Sequence, residues 1–165
     1  VAKSLRRTDK EIAELYQHHV KTVYRVCFAY MKNAADADDM VHDTFVQFIR
    51  RGPVFESAEH EKAWLIRTST NLCKNSLKHW WRKRGKIEDF ENLPSEGSFE
   101  IDETFAVIMG LPDRYKTVIY MYYYEGYSTP EIARALQKPQ NTILVHLHEA
   151  RKILKNKLGG DSDEG

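Results

Sequence analysis

At 165 residues the chain is long enough for one ordinary domain or two small ones. Its 42% hydrophobic and 30% charged residues suit a packed fold rather than a disordered one. No stretch approaches the roughly 20 apolar residues that a bilayer crossing needs, and the opening VAKSLRRTDKEIAEL has no apolar run of the signal-peptide kind, so a cytoplasmic location is expected.

The first helix is predicted to start at a capping box made by Thr8 and Glu11. Its apolar stripe runs through Ile12, Tyr16, Val20, Val23, Cys27 and Tyr30 at helical spacing, and Asn33-Ala34 breaks it. A second helix is predicted over 35–50, burying Ala37, Val41, Thr44, Phe45 and Phe48; Arg51-Gly52-Pro53 stops it. Ser57 then caps a long helix reaching about Arg84, with Glu59 and Glu61 in its first turn and Trp64, Leu65, Thr68, Leu72 and Ser76 facing inward. Both cysteines, Cys27 and Cys73, lie in apolar helical patterns and are expected as buried thiols in a reducing compartment.

Residues 85–101 read as an acidic linker with Pro94, Ser95, Gly97 and Ser98 and no periodicity. Four more helices are predicted over 102–109, 114–124, 130–136 and 141–158. The third is capped by Ser128, with Pro130 in its first turn and Glu131 three residues after the cap. The fourth carries Ile143, Leu147, Ala150 and Leu154 on one face. A short polar turn joins these two, the layout of a helix-turn-helix. Gly159-Gly160 ends the last helix, and residues 161–165 are expected as a disordered acidic tail. The expected fold class is therefore all-α: two small helical domains over 1–84 and 102–158, joined by a flexible acidic linker, the second containing the helix-turn-helix.

A net charge of +1 hides a segregated distribution. From Lys62 to Lys86 there are eight bases and no acid; residues 87–103 hold seven acids and no base. Such blocks suggest a nucleic-acid surface followed by an acidic connector. The outward positions of the basic helix include Asn71, Lys74, Asn75, Lys78 and Arg82, with Trp80 and Trp81 near its end. Cations suit phosphates, amides suit base edges and rings suit unstacked bases; a solvated helix whose tryptophans pack on the domain is the plainer alternative. Asp36, Asp39 and Asp43 share one helical stripe, either a solvated face or a docking surface for a basic partner. The ligand pattern of a calcium loop is absent, as are a glycine-rich phosphate loop and a paired-cysteine zinc site. His146 and His148, two apart on a helix, point to different faces, as do His18 and His19. No enzyme, metal or cofactor is expected.

Read in order, Asp36-Ala37-Asp38-Asp39-Met40-Val41-His42-Asp43-Thr44-Phe45, then Ala63-Trp64-Leu65-Ile66-Arg67 with Asn71-Leu72, then Leu111-Pro112, Tyr124-Glu125-Gly126-Tyr127-Ser128, Glu131-Ile132-Ala133, Thr142-Ile143 and Ala150-Arg151-Lys152-Ile153-Leu154 form one set. That set resembles the bacterial RNA polymerase sigma factors of the extracytoplasmic-function, minimal two-domain type, over roughly residues 12–84 and 103–158. The resemblance implies a promoter-specificity subunit without activity of its own. Asp36, Asp39, Met40, His42, Asp43 and Gln47 would dock on the clamp helices of core polymerase. Phe55, Glu56, Ser57, Arg67, Asn71, Lys74, Asn75, Lys78, Trp81 and Arg82 would read and hold open the minus-ten element. Gln140, Asn141, Thr142, Leu144, Val145, His146, His148 and Arg151 would read the minus-35 element, while the other surface of that domain holds the polymerase flap. The linker would thread through the polymerase, and an anti-sigma factor is the further partner implied.

The chain departs from the family pattern at several positions. Gln137 to Asn141 replace the small and glycine residues common in the turn, so the last helix begins either at Lys138-Pro139 with proline first or later with Asn141 as cap. Leu144, His146 and Glu149 stand where cations are frequent, which implies weaker phosphate contact and lets Leu144 touch thymine methyls. Asn75 replaces a common aspartate and His42 a frequent glutamine. A stand-alone helix-turn-helix regulator, or a module sequestering a protein partner through Leu144 and Val145, are the alternative readings.

Overall fold

The structure, a computed structural model, describes residues 7–51, 54–84 and 101–158. The expectations for Gly52-Pro53, the linker up to Glu100, the tail after Leu158 and the side chains of Trp80, Trp81 and Arg82 fall outside what it describes. The chain forms two compact units, residues 1–100 and 101–165. All regular structure among the described residues is helical: α1 Asp9–Met31, α2 Ala34–Arg51 and α3 Ala58–Arg84 in the first unit; α4 Glu103–Met109, α5 Asp113–Ile119 continuing into a π-helical turn Tyr120–Tyr124, α6 Thr129–Leu136 and α7 Gln140–Leu158 in the second.

In the first unit each helix packs on the other two. The Thr8 hydroxyl accepts from the Glu11 amide at 3.1 Å while the Thr8 amide donates to the Glu11 carboxylate at 2.9 Å, so the predicted capping box starts α1. Lys32, in the left-handed region at φ 66°, ends it. Asn33 is a cap as well as a breaker: its Oδ1 accepts from the Asp36 amide at 2.8 Å and its Nδ2 donates to the Asp36 carboxylate at 2.9 Å. Ser57 accepts from the His60 amide at 3.2 Å, as its cap position predicts.

α2 buries Ala37, Val41, Thr44, Phe45 and Phe48, the predicted face. α1 and α3 bury only part of their predicted faces, Val23, Cys27, Tyr30 and Leu65 among them. α1 buries Leu15, His19, Thr22, Val23, Val26, Cys27 and Tyr30, and Tyr16 is 44% exposed. α3 buries Leu65, Ile66, Ser69, Thr70 and Cys73, while Trp64, Thr68, Leu72 and Ser76 are only half-buried. The reason is the same in both: polar residues occupy inner positions because they find partners there. Ser69 donates to the Leu65 carbonyl at 2.8 Å, and His19 Nε2 lies 2.9 Å from Glu61 Oε1. Burial pushes the Cys27 thiol well above its ordinary pKa, helped by contact with Cys73, so the Cys27 thiol meets α3 in its neutral form beside Thr44. Both cysteines are buried and free.

The second unit is built from short helices and depends on its caps. Asp102 accepts from the Phe105 amide at 2.8 Å and from the Tyr124 hydroxyl at 3.0 Å, tying the start of α4 to the π-helical turn. That turn replaces the end of the single helix predicted over 114–124: the Glu125 amide reaches the Tyr120 carbonyl at 3.1 Å, and the Tyr120 and Tyr124 rings stack with centroids 5.3 Å apart. Gly126, at φ +81°, makes the reversal that follows. Ser128 and Glu131 form the predicted capping box on α6, with donor–acceptor distances of 3.3 and 2.8 Å. Gln137 ends α6 in the left-handed region at φ 57°, a position that favours glycine. Phe105, Ile108, Tyr120, Met121, Ile132, Ile143, Leu147 and Ala150 form the core, with Leu154 half-buried at its edge.

The Ser128 amide and hydroxyl hold the Glu131 carboxyl below its ordinary pKa. A carboxyl whose folded value is depressed stabilises above its unfolded value and loses that contribution as pH falls through the folded one. NMR titration of Glu131 is therefore expected to show a midpoint below that of an unstructured glutamate, and Ser128→Ala, costing about 1 kcal/mol, should raise it only part of the way, because the backbone amide of residue 128 still donates to the carboxylate. Gln137→Gly removes left-handed strain of roughly 1–2 kcal/mol, part of which is offset by unfolded-chain entropy. Urea denaturation should show a net gain of up to about 1 kcal/mol.

Candidate nucleic-acid and partner interfaces

Three outward surfaces carry the predicted site residues. The first is on α2. With Ala37, Val41 and Phe48 turned into the core, the opposite side presents Asp39, His42 and Asp43 to solvent, with Asp36, Met40 and Gln47 half-buried at its flanks. Asp36 is engaged in the Asn33 cap; among the described residues Asp39 and Asp43 make no ion pair.

The second surface joins the α2–α3 loop to the outer side of α3. Phe55 is half-buried rather than free: its ring stacks on Phe48 at 5.9 Å and 13° and meets Trp64 edge-on at 6.1 Å. Trp64 meets Phe48 at 5.6 Å, and the Arg7 guanidinium lies 4.4 Å over the Phe48 ring. The loop thus rests on an aromatic platform, with Val54, Glu56 and Ser57 exposed above it. Beyond the loop, Arg67, Asn71, Lys74, Asn75 and Lys78 recur at helical spacing along one side of α3; Asn71, Asn75 and Lys78 are exposed and Arg67 and Lys74 half-buried. From Arg67 to Lys78 the stripe is roughly 16 Å long at a rise of 1.5 Å per residue.

Sequence reasoning weighed His19 only as a neighbour of His18 and missed its place here. It is 1% exposed, and its bond to Glu61 ties α1 to the first turns of α3, next to the loop. The signal available was its position four residues from both Leu15 and Val23. Lys116, also 1% exposed and 3.1 Å from the Asp113 carboxylate, was likewise missed.

The third surface is α6, the turn and α7. α7 begins at Gln140, between the two predicted starts: the Pro139 carbonyl accepts from the amides of Thr142 at 3.0 Å and Ile143 at 3.3 Å, so proline precedes the helix and Asn141 lies inside it. The Gln140 side-chain Nε2 donates to the Thr129 hydroxyl on α6 at 3.0 Å. Gln140, Asn141, Leu144, Val145, His148 and Arg151 are exposed, and Thr142 is half-buried. His146 does not share the outward face of Leu144; two residues on, it is half-buried with its ring 5.4 Å from Tyr115. Arg151 Nε donates to the Tyr123 hydroxyl at 2.9 Å, and this bond holds the guanidinium still more firmly in its charged form. Among the described residues no three His, Cys, Asp or Glu side chains gather as a metal site, and no helix is long and apolar enough to cross a membrane.

Two family models match the chain: sigma-70 region 2 over residues 15–85 and sigma-70 region 4 over residues 103–154. The ECF RNA polymerase sigma factor SigW of Bacillus subtilis is 24% identical over 94% of this chain and 94% of its own length. The RNA polymerase sigma factor SigV of the same species is 27% identical over 85% and 86%. SigE of Mycolicibacterium smegmatis, another ECF RNA polymerase sigma factor, is 26% identical over 92% of this chain, which spans 63% of that relative's length. Among solved structures, the sigma factor RpoE of Bartonella quintana, crystallised in complex with the anti-sigma factor NepR, shares the fold with a TM-score of 0.74 at 20% identity, over 92% of this chain and 99% of that one.

Phe48 is fully buried under the loop. Phe48→Ala is expected to cost about 3–5 kcal/mol, read as a lower urea midpoint, whereas Glu56→Ala on the exposed rim should shift stability by no more than about 0.5 kcal/mol.

Proposed function

We propose how promoter recognition is divided within this chain, which belongs to the sigma-70 family of bacterial RNA polymerase sigma factors and is of the extracytoplasmic-function type. It is a promoter-specificity subunit of RNA polymerase. The finer reading concerns which surface does what. The first unit docks core polymerase through Asp39, Asp43 and their neighbours on α2, and reads the minus-ten element with the α2–α3 loop and the outer stripe of α3. The second unit reads the minus-35 element with α7. The chain contributes recognition and strand opening, the polymerase contributes the chemistry, and both act in the cytoplasm.

The observation that carries this reading is the acidic stripe of α2, where Asp39 and Asp43 are exposed and, among the described residues, without ion pairs. An acidic face held rigidly by a buried back face suits a basic partner, since complementary charge speeds encounter and fixes register. The α3 stripe offers a different chemistry, amides alternating with cations, which suits exposed bases and the phosphates that join them. Unstacking a base costs a few kcal/mol; a loop anchored on Phe48 and Trp64 can present a fixed surface to that base rather than ordering itself at the moment of contact. An anti-sigma factor is the regulatory partner proposed, on the likeness to a sigma factor solved in such a complex.

Purified chain added to bacterial core polymerase is expected to direct promoter-specific transcription and to footprint DNA with the polymerase present. Absence of core binding at micromolar concentration would overturn the reading. Asp39→Arg combined with Asp43→Arg should lower core affinity at least tenfold while leaving the thermal midpoint within a few degrees of the parent; unchanged assembly would remove α2 as the docking face.

A further inference from the structure

Asn141, Leu144, Val145 and His148 fall at i, i+3, i+4 and i+7 on α7, one outward stripe opposite the buried Ile143, Leu147 and Ala150. Leu144 is 47% and Val145 55% exposed. A leucine and a valine side by side on the outer face of a helix-turn-helix's second helix are poor ligands for phosphate. Two of the polar groups nearby are engaged within the protein. Arg151 is bonded to Tyr123 and lies 5.7 Å from the Tyr122 ring centre. Gln140 is bonded to Thr129. Exposed Arg134 and Lys138 stand at the end of α6 and in the turn, where they can meet the DNA backbone. The surface therefore has an apolar centre between Asn141 and His148, with the exposed cations Arg134 and Lys138 on one side and Lys152 and Lys155 further along α7.

A major groove offers one apolar group for such a centre, the C5-methyl of thymine, and an asparagine pairs with the edge of adenine. We propose that α7 reads its promoter element through thymine methyl groups packed against Leu144 and Val145, with Asn141 on a neighbouring adenine and the flanking cations on phosphate. This rests on the assignment of the second unit to the minus-35 element and names what that element must contain: adjacent A·T pairs whose thymines present methyls to the helix. Burial of one methyl group is worth roughly fourfold in affinity.

Deoxyuridine in place of thymidine deletes the methyl and leaves base pairing and groove hydrogen-bonding groups intact. Holoenzyme reconstituted from the full chain and core polymerase would first be used to select upstream elements from a random library placed before a fixed minus-ten sequence. The selected duplex would then be made with thymine or uracil at each upstream position. Holoenzyme is expected to bind the uracil duplex three- to fivefold more weakly at one or two positions. Holoenzyme carrying Leu144→Ala and Val145→Ala should lose a similar factor on thymine DNA and show no further loss on uracil DNA, the coupling that a double-mutant cycle isolates. Both residues are exposed, and circular dichroism of the variant checks that its helices are intact. Equal binding of thymine and uracil duplexes by the parent holoenzyme, or discrimination that persists in the variant, overturns the proposal and leaves the apolar pair to a protein partner. Holoenzyme that initiates specifically but selects no upstream sequence overturns the minus-35 assignment itself, a result distinct from equal affinity on a selected element.

Discussion

Phe48 is completely buried, and α2 cannot turn about its axis without exposing it. That one constraint sets much of the first unit. It holds Ala37 and Val41 inward and so holds Asp39 and Asp43 outward, because each lies two residues further on and residues two apart point about 200° from each other on a helix. It also supplies the ring on which Phe55 stacks and against which Trp64 and the Arg7 guanidinium rest. Aromatic contacts of this kind add roughly 0.5–1.5 kcal/mol beyond the area they bury. The face proposed to dock polymerase and the loop proposed to meet DNA are thus fixed by the two sides of one core residue's environment.

The second unit solves the same problem with less material. α4, α5 and α6 have 7, 7 and 8 residues, well under the dozen or so at which an isolated helix becomes even marginally stable in water. Their order comes from packing around Phe105, Tyr120 and Ile132 and from end-to-end polar ties. Asp102 receives the Tyr124 hydroxyl, Ser128 and Glu131 exchange bonds, and Gln140 reaches back to Thr129. The last of these closes the turn between α6 and α7 at a place where Gln137 takes a backbone conformation better suited to glycine. The orientation of α7, and with it the position of Leu144 and Val145, rests on that closure and on Ile143, Leu147 and Ala150 behind them.

The inward face of α2 was legible in the sequence because every position on it is apolar or threonine and the spacing admits one phase. The faces of α1 and α3 were legible only in part: Val23, Cys27, Tyr30 and Leu65 are buried as their spacing predicts, but His19, Ser69 and Thr70 are polar by type and buried in fact. Periodicity of hydrophobicity sees the residue type; it does not see the Glu61 carboxylate or the Leu65 carbonyl that satisfies it. The capping boxes at Thr8 and Ser128 were legible because both partners lie within four residues of each other. The π-helical turn was not, since YMYYY is compatible with an ordinary helix and the sixth-residue bonding there is set by stacking of Tyr120 on Tyr124 and by the reversal at Gly126. His146 was placed beside Leu144 by analogy of position, yet helical geometry sets residues two apart about 200° from each other, and the Tyr115 ring occupies its side.

The two surfaces proposed to meet DNA differ in kind, and the difference constrains how they cooperate. The α3 stripe combines Lys74 and Lys78 with Asn71 and Asn75, so its attraction to a nucleic-acid backbone is electrostatic and screened by salt. The centre of the α7 stripe is apolar, and contact made by excluding water from methyl groups is nearly insensitive to salt at moderate ionic strength. Neither surface has to bind tightly alone. Because one chain carries both, engagement of either raises the effective concentration of the other at its own element, and modest affinities multiply rather than add. A near-neutral chain with segregated charge fits that arrangement: a strongly basic chain would hold duplex DNA anywhere, whereas two moderate and chemically distinct contacts require both elements at the right spacing before the sum becomes large.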